Sequence, residues 1–320
     1  MNTVILSVSR RTDIPAFYLD WFINRIKEGY VYVRNPMNYH MVSEVSLSPE
    51  VIDCIVFWTK DPTNFLKKIN EFKHYSYYFQ ITITPYGRDI EKNVRDKNQI
   101  INSFIELSKR IGKEKVIWRY DPIILTANIS IEYHKQEFTR LAGRLAGYTD
   151  VCVISFLDMY RKTQRNMKDV KALNIRDEDM YIIAAELNKI AKDHNIELKT
   201  CSEKIDLSSL GIKHSKCIDD ELISRILGQK LDIKKDKNQR DECGCVESID
   251  IGAYNTCKHG CLYCYANYSK LAVINNLKQY GVNSRLLCGE VDDDTKITKR
   301  KMRSYREKRE KYEQISMLDK

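Results

Sequence analysis

Residues 4–13 read Val-Ile-Leu-Ser-Val-Ser-Arg-Arg-Thr-Asp, an unbroken apolar run that ends on a charged cluster. Runs of this kind suit strands buried on both faces, as in parallel sheets. The pattern recurs down the chain. Residues 54–58 run into Thr59-Lys60-Asp61, and 115–118 into Arg119-Tyr120-Asp121. Residues 151–157 run into Asp158, and 197–200 into Cys201-Ser202-Glu203-Lys204. Two more runs, 78–84 and 248–253, have the same character, the second carrying Asp250. Between them lie amphipathic stretches. In 17–28, Tyr18, Trp21, Phe22 and Ile26 recur at helical spacing, and 99–111, 133–146, 177–194 and 219–227 repeat the pattern. Pro62 opens 63–72, where a helix start tolerates it. Residues 30–45 predict an additional hairpin.

Strand–helix alternation implies a parallel α/β sheet with helices outside it. About seven such units predict a TIM-like (β/α) barrel, partial in extent, with a doubly wound sheet as the alternative. Neither GxGxxG nor GxxxxGK[ST] occurs. In a barrel the strand ends gather on one face, where barrel enzymes place their chemistry. Arg10, Arg11, Asp13, Lys60, Arg119, Asp121 and Lys204 are therefore the expected catalytic residues, the basic ones suited to an anionic group.

Composition bounds the rest. The 320 residues are 43% hydrophobic, enough to fill a core, and the 12 Gly and 6 Pro are too few for a collagen-like or low-complexity chain. No stretch approaches the ~18 apolar residues of a membrane span. Val4-Ile5-Leu6 before Arg10 is too short for a signal-peptide core, so the expected compartment is the cytoplasm. Net charge is +9, and residues 296–311 hold nine Lys/Arg against two Glu; that +7 leaves +2 for everything else. Such a block reads either as a solvated helix or disordered tail, or as a contact for nucleic acid phosphates. The expected segments are a barrel body (1–238), a cysteine-rich segment completing it (239–290) and a basic tail (291–320).

Ten cysteines are present, six of them between 243 and 288. Cys54 and Cys152 sit inside strand runs and read as core, whereas Cys201 ends a strand on the expected site face. Cys257, Cys261 and Cys264, in CKHGCLYCYAN, have the spacing CxxxCxxC. Three thiolates on one loop can hold three irons of a [4Fe–4S] cube and leave the fourth open. Alternatively, Cys243, Cys245 or His259 completes a structural zinc site, or Cys261 and Cys264 act as a redox pair. Cys243 and Cys245 flank Gly244 after a polar stretch, KKDKNQRDE (234–242), that predicts a pair mobile until the loop docks. They could bind a second metal, donate hydrogen, or be plain thiols.

CxxxCxYC, with Tyr263 before the third cysteine, resembles the cluster motif of radical S-adenosylmethionine (SAM) enzymes. The resemblance implies a [4Fe–4S] cluster on the three cysteines, SAM on the open iron and Tyr263 against adenine. It also implies a flavodoxin- or ferredoxin-like electron donor and hydrogen abstraction by a 5′-deoxyadenosyl radical. That superfamily carries its motif after the first barrel strand, whereas here the motif follows the last. In a permuted order, 248–253 plays the first strand and 4–9 the second. Ser7 and Asp13 would then help hold SAM, in place of the usual Gly-Gly-Glu. This order requires Cys257 to lie near Arg10 and Asp13. More widely, SRRTDIPAFY, FWTKDP, WRYDPI, SFLDMY and CGCVESIDIGAYNTCKHGCLYCYANY resemble a bacterial and archaeal family of unknown function. More distantly, the cysteine motif is similar to that of spore photoproduct lyase-type DNA repair enzymes. The other function classes are a zinc-stabilised nucleic-acid-binding protein and a barrel hydrolase with a metal lid.

Overall fold

The computed structural model describes residues 4–159 and 161–302. The chain opens with β1 (Val4–Val8), α1 (Ile14–Phe17) and α2 (Leu19–Glu28). A hairpin of β2 (Tyr30–Asn35) and β3 (Asn38–Ser46) follows, then β4 (Ile52–Thr59) and α3 (Thr63–Lys67). Next come β5 (Tyr77–Thr82), α4 (Lys97–Ile111), β6 (Val116–Ile123) and α5 (Ile131–Leu145). They are followed by β7 (Val151–Phe156), α6 (Arg161–Asn166), α7 (Asp177–Asp193) and β8 (Glu197–Thr200). The remainder holds β9 (Lys213–His214), α8 (Asp220–Leu227), β10 (Ile249–Asp250), α9 (Lys270–Lys278) and β11 (Lys296–Lys299).

Eight strands form one sheet in the order β10-β1-β4-β5-β6-β7-β8-β9, every neighbouring pair parallel. All seven expected strands are in it. β9 joins them as an eighth that the sequence pattern hid, because its two residues are polar and exposed. The sheet is edged by β10 and β9, with no ladder between them among the described residues. The fold is therefore α/β around a large parallel sheet.

Strand alternation divides the core in two. Leu6, Ile55, Phe57, Phe79, Trp118 and Ile154 pack against α2, α4, α5 and α7, through residues such as Phe22, Phe104, Leu141 and Leu187. Ile5, Val56, Tyr78, Ile117 and Val153 point the other way. No sheet-long row of helices covers them; α8 and the flanking chain do, through Cys217, Leu222, Ile223, Cys245 and Val246. The Tyr78 hydroxyl secures that cover by donating to the Cys217 carbonyl (2.7 Å) and accepting from Asp219 N (3.1 Å).

Two expectations change. The 17–28 helix breaks at Tyr18, which leaves the helical region (φ −135°) and caps both α1 and α2. Residues 243 and 245 are seen docked: both thiols are buried, and Asp236 N donates to the Cys245 carbonyl (2.9 Å). The basic segment begins as a strand and not a helix. β11 pairs in parallel with β3, Lys296 opposite Met41 and Lys299 opposite Glu44. An unpaired strand edge offers hydrogen bonds that outweigh helix propensity. Residues 303–320, with the rest of the basic block, lie outside the described residues. Among the described residues no helix is long and apolar enough to cross a membrane.

β10 is short because a side chain takes over from the ladder. Asp250 accepts from Ser7 Oγ (2.8 Å), Ser9 Oγ (2.6 Å), Arg10 N (2.8 Å) and Gly252 N (3.0 Å). The approach is so close that a Cβ at Gly252 would lie 2.0 Å from Ser9 Oγ and 2.6 Å from Ser9 Cβ. Gly252→Ala should cost about 1–3 kcal/mol through overpacking. In Gly143→Ala, within α5, the new Cβ meets only His194 Cε1 at 3.7 Å, so this variant should gain up to about 1 kcal/mol. Chemical denaturation of both variants checks the contrast, and equal effects would contradict it.

Candidate functional site

The C-terminal ends of parallel strands open on one edge of the sheet, and a cavity of about 460 Å³ lies there. Arg10, Arg11, Asp13, Lys60, Arg119 and Asp121 all border it, as do Cys257, Cys261, Cys264 and Tyr263. Two expected site residues do not join them. Lys204 is exposed and turned away from the cavity lining, while its neighbour Glu203 is part of it. Ser7 is fully buried and committed to Asp250.

The cysteine loop leaves β10 and docks on two partners. The first is the end of β1: Asp13 accepts from Ala16 N (2.9 Å), Lys60 N (2.7 Å) and His259 Nε2 (2.7 Å). One carboxylate thus caps α1, fixes the end of β4 and holds the loop. Asp13 is a positioning residue on this geometry. The second partner is the segment after β5. Asn93 N donates to the His259 carbonyl (2.9 Å), Leu262 N to the Ile90 carbonyl (3.0 Å), and Glu91 bridges Cys261.

Glu91 is fully buried, with Lys60 Nζ at 2.7 Å, Thr84 Oγ1 at 2.7 Å, and Lys97 and the Tyr263 hydroxyl in contact. Burial pushes its carboxyl up, but Lys60 and Lys97 prevail and hold it at about 2. Tyr263 is therefore oriented through its hydroxyl, with the Lys60 ammonium 5.5 Å from its ring centre. Nothing in the local sequence singles out Glu91, one of three acids in the loop between β5 and α4. Glu91→Gln would strand two buried ammonium groups, and should cost about 3–5 kcal/mol. Thermal unfolding measures this, and a change under 1 kcal/mol would show that the network is not stabilising.

Each cation of the cavity has a carboxylate partner. Arg10 and Arg11 each approach Asp250 at 3.9 Å, and Arg11 lies over the Tyr254 ring. Arg119 binds Asp121 through Nε (3.0 Å) and Nη2, reaches Gln80 Oε1 (3.3 Å) and Cys217 Sγ (2.9 Å), and covers Trp58. Asp121 also accepts from Ser155 Oγ.

Burial pushes the Cys257 thiol far up, helped by Cys264 and Asp13, and the Cys261 thiol up to about 12, against the pull of Lys60. Among the described residues no three His, Cys, Asp or Glu groups surround a single point. Thr12 Oγ1 and His259 Nδ1, both on the cavity wall, are buried without a hydrogen-bond partner.

A family model described as a domain of unknown function, DUF1848, matches residues 5–266. The chain belongs to this family. The match spans the sheet and the cysteine loop together, so family membership rests on the whole cavity and not on one motif. No curated protein matches. Among solved structures, one similar chain is a putative alpha-L-fucosidase from Bacteroides thetaiotaomicron. It is 11% identical over 57% of this chain and 73% of its own, with a TM-score of 0.26, too low to carry an argument.

Glu203 is the second group that the sequence reading passed over. Its Oε1 accepts from Phe156 N (2.8 Å), yet burial, with Asp158 and Asp121 nearby, raises its carboxyl from 4.5 to about 7. The folded-state value lies above the unfolded one. The stability linked to Glu203 is therefore complete below pH 4.5 and is lost as pH rises towards 7. Glu203→Gln cannot ionise, so it should exceed wild type by about 1–3 kcal/mol at pH 8. The two stabilities should converge near pH 4.5. Denaturant titrations across that range check this; parallel curves would contradict it.

Proposed function

We propose that this family member is a radical SAM-type enzyme, with Cys257, Cys261 and Cys264 as the three ligands of a [4Fe–4S] cluster. The observation that carries the reading is an adjacency. β10 pairs in parallel with β1, Leu6 opposite Ile249 and Ser7 opposite Asp250, and Cys257 shares a cavity with Arg10 and Asp13. A permuted strand order requires that arrangement. The inward row of Ile5, Val56, Tyr78, Ile117 and Val153, meeting one common plug, further suits a sheet curved towards an incomplete barrel.

The donor set fits such a cluster. Three thiols border one cavity, and the thiolates of a cube each bind a different iron, whereas a single zinc needs four ligands around one centre. Cys243 and Cys245 have sulfur partners of their own, so neither is drawn to this loop as a fourth ligand, while His259, in the loop itself, has Nε2 held by Asp13 and Nδ1 unpartnered. The buried thiols must release protons on metal binding, so loading should be favoured at higher pH. When bound, the cluster supplies the electron that splits SAM to a 5′-deoxyadenosyl radical.

The chain's own residues then have definite tasks. Tyr263, fixed by Glu91, borders the cavity as the ring for adenine. Arg10 and Arg11 line it with guanidinium groups suited to a carboxylate or phosphate. Glu203, raised to about 7, holds a proton near Asp121. An anionic substrate, nucleic acid included, suits Arg10, Arg11 and the basic block, with a flavodoxin- or ferredoxin-like donor reducing the centre. A hydrolase is the second reading, favoured by Glu203 and Asp121 on one wall.

Anaerobic reconstitution should give a brown protein with about four irons per chain that releases 5′-deoxyadenosine from SAM on reduction. Cys261→Ala should lose the iron and the product. Colourless protein with one tightly held zinc, or a Cys261→Ala variant that keeps its iron, would overturn the proposal.

A further inference from the structure

Four cysteines outside the cluster motif come together from three places in the chain. Cys201 follows β8, Cys217 lies between β9 and α8, and Cys243 and Cys245 precede β10. Cys201 Sγ lies 3.1 Å from Cys217 Sγ. The Cys217 thiol is also hydrogen-bonded to Cys245, and Cys245 to Cys243. The four thiols therefore adjoin in the order 201, 217, 245, 243, with Cys201 and Cys217 in direct sulfur contact. None is in a disulfide, and all four border the cavity. Arg119, buried under Trp58, donates to Cys217 Sγ at 2.9 Å.

Among the described residues these thiols form no group around a single point. A tetrahedral ion needs its thiolates around one centre at about 2.3 Å, and the thiolates of a cube bind separate irons. Direct sulfur–sulfur contact is the geometry of thiol–disulfide exchange, in which about 1 Å of travel converts 3.1 Å into a bond of ~2.05 Å.

We propose that Cys243, Cys245, Cys217 and Cys201 form a thiol relay that stores an electron pair at the cavity, with the Cys201–Cys217 disulfide as its oxidised form. The oxidant is a low-molecular-weight disulfide. The Cys243 thiolate attacks one of its sulfurs and expels one thiolate, which takes up a proton. Cys245 loses its proton and attacks the Cys243 sulfur, expelling the second small thiol. Cys217 then attacks Cys245 and returns Cys243 to the thiol, and Cys201 attacks Cys217 and returns Cys245. Overall two protein thiols and one external disulfide become one protein disulfide and two external thiols; two electrons and two protons pass outward. Reduction reverses each step.

The acidity of Cys243 suits its place as the entry thiol. A hydrogen bond from Cys245 lowers Cys243 to about 6, making it the ready nucleophile. Cys217 is raised to about 12, where the hydrogen bond to Cys245 and burial outweigh the opposing bond from Cys201 and the pull of Arg119. The relay does not depend on the reading of Cys257, Cys261 and Cys264.

The test uses the full-length protein in cystamine/cysteamine buffers of rising oxidation, followed by acid quench, alkylation and peptide mass analysis. The expected product is one internal disulfide, two hydrogens lighter, linking Cys201 to Cys217. In Cys201→Ser the link should move to Cys217–Cys245. In Cys243→Ser the Cys201–Cys217 link should form at least about tenfold more slowly. Four thiols alkylated at every ratio, cysteamine adducts without an internal link, or a metal that shields all four until chelated would each overturn the proposal.

Discussion

The Asp250 carboxylate accepts hydrogen bonds from Ser7, Ser9, Arg10 N and Gly252 N, and that fastening of β10 to β1 is the constraint on which the cavity depends. β10 contributes only two ladder residues, too few to hold a strand in place alone. A charged acceptor with four donors makes up the deficit, since hydrogen bonds to charged groups are worth more than neutral ones. The contact also sets the direction in which the chain leaves the sheet, and hence where the cysteine loop lies. Gly252 fits the arrangement because nothing larger could pass Ser9.

Two further buried carboxylates repeat this device. Asp13 ties α1, β4 and His259 together, and Glu91 gathers Lys60, Lys97, Thr84 and Tyr263. A buried charge is tolerated only when paired and hydrogen-bonded, so each of these positions demands its partners. The cysteine loop, poor in secondary structure of its own, borrows its rigidity from them. The cost is a cavity whose cations are already committed, so an incoming anion meets paired charges and not bare ones.

The strand core and the CxxxCxxC loop were legible because both are local patterns. Strands buried on two faces need continuous apolar runs, and three thiols on one loop need a short spacing. Six of the seven expected strand-end residues border the cavity, since parallel strands finish on one edge. What escaped was non-local or weakly encoded. Glu91 and Glu203 are ordinary acids until burial and neighbours shift them in opposite directions. β9 has no apolar signature, and the start of the basic segment became β11 because β3 had a free edge. The approach of Cys217 to Cys245 crosses a stretch that reads as a polar linker.

By itself the sequence determined that the chain alternates strand and helix, and that three cysteines share a loop, because periodicity and spacing act over a few residues. Only the tertiary structure decided that β10 lies beside β1, and that Cys201 and Cys217 meet beside Arg119. Backbone hydrogen bonds between strands are blind to side-chain identity, so strand order is settled by which faces and carboxylates find partners once the whole chain has closed on its core.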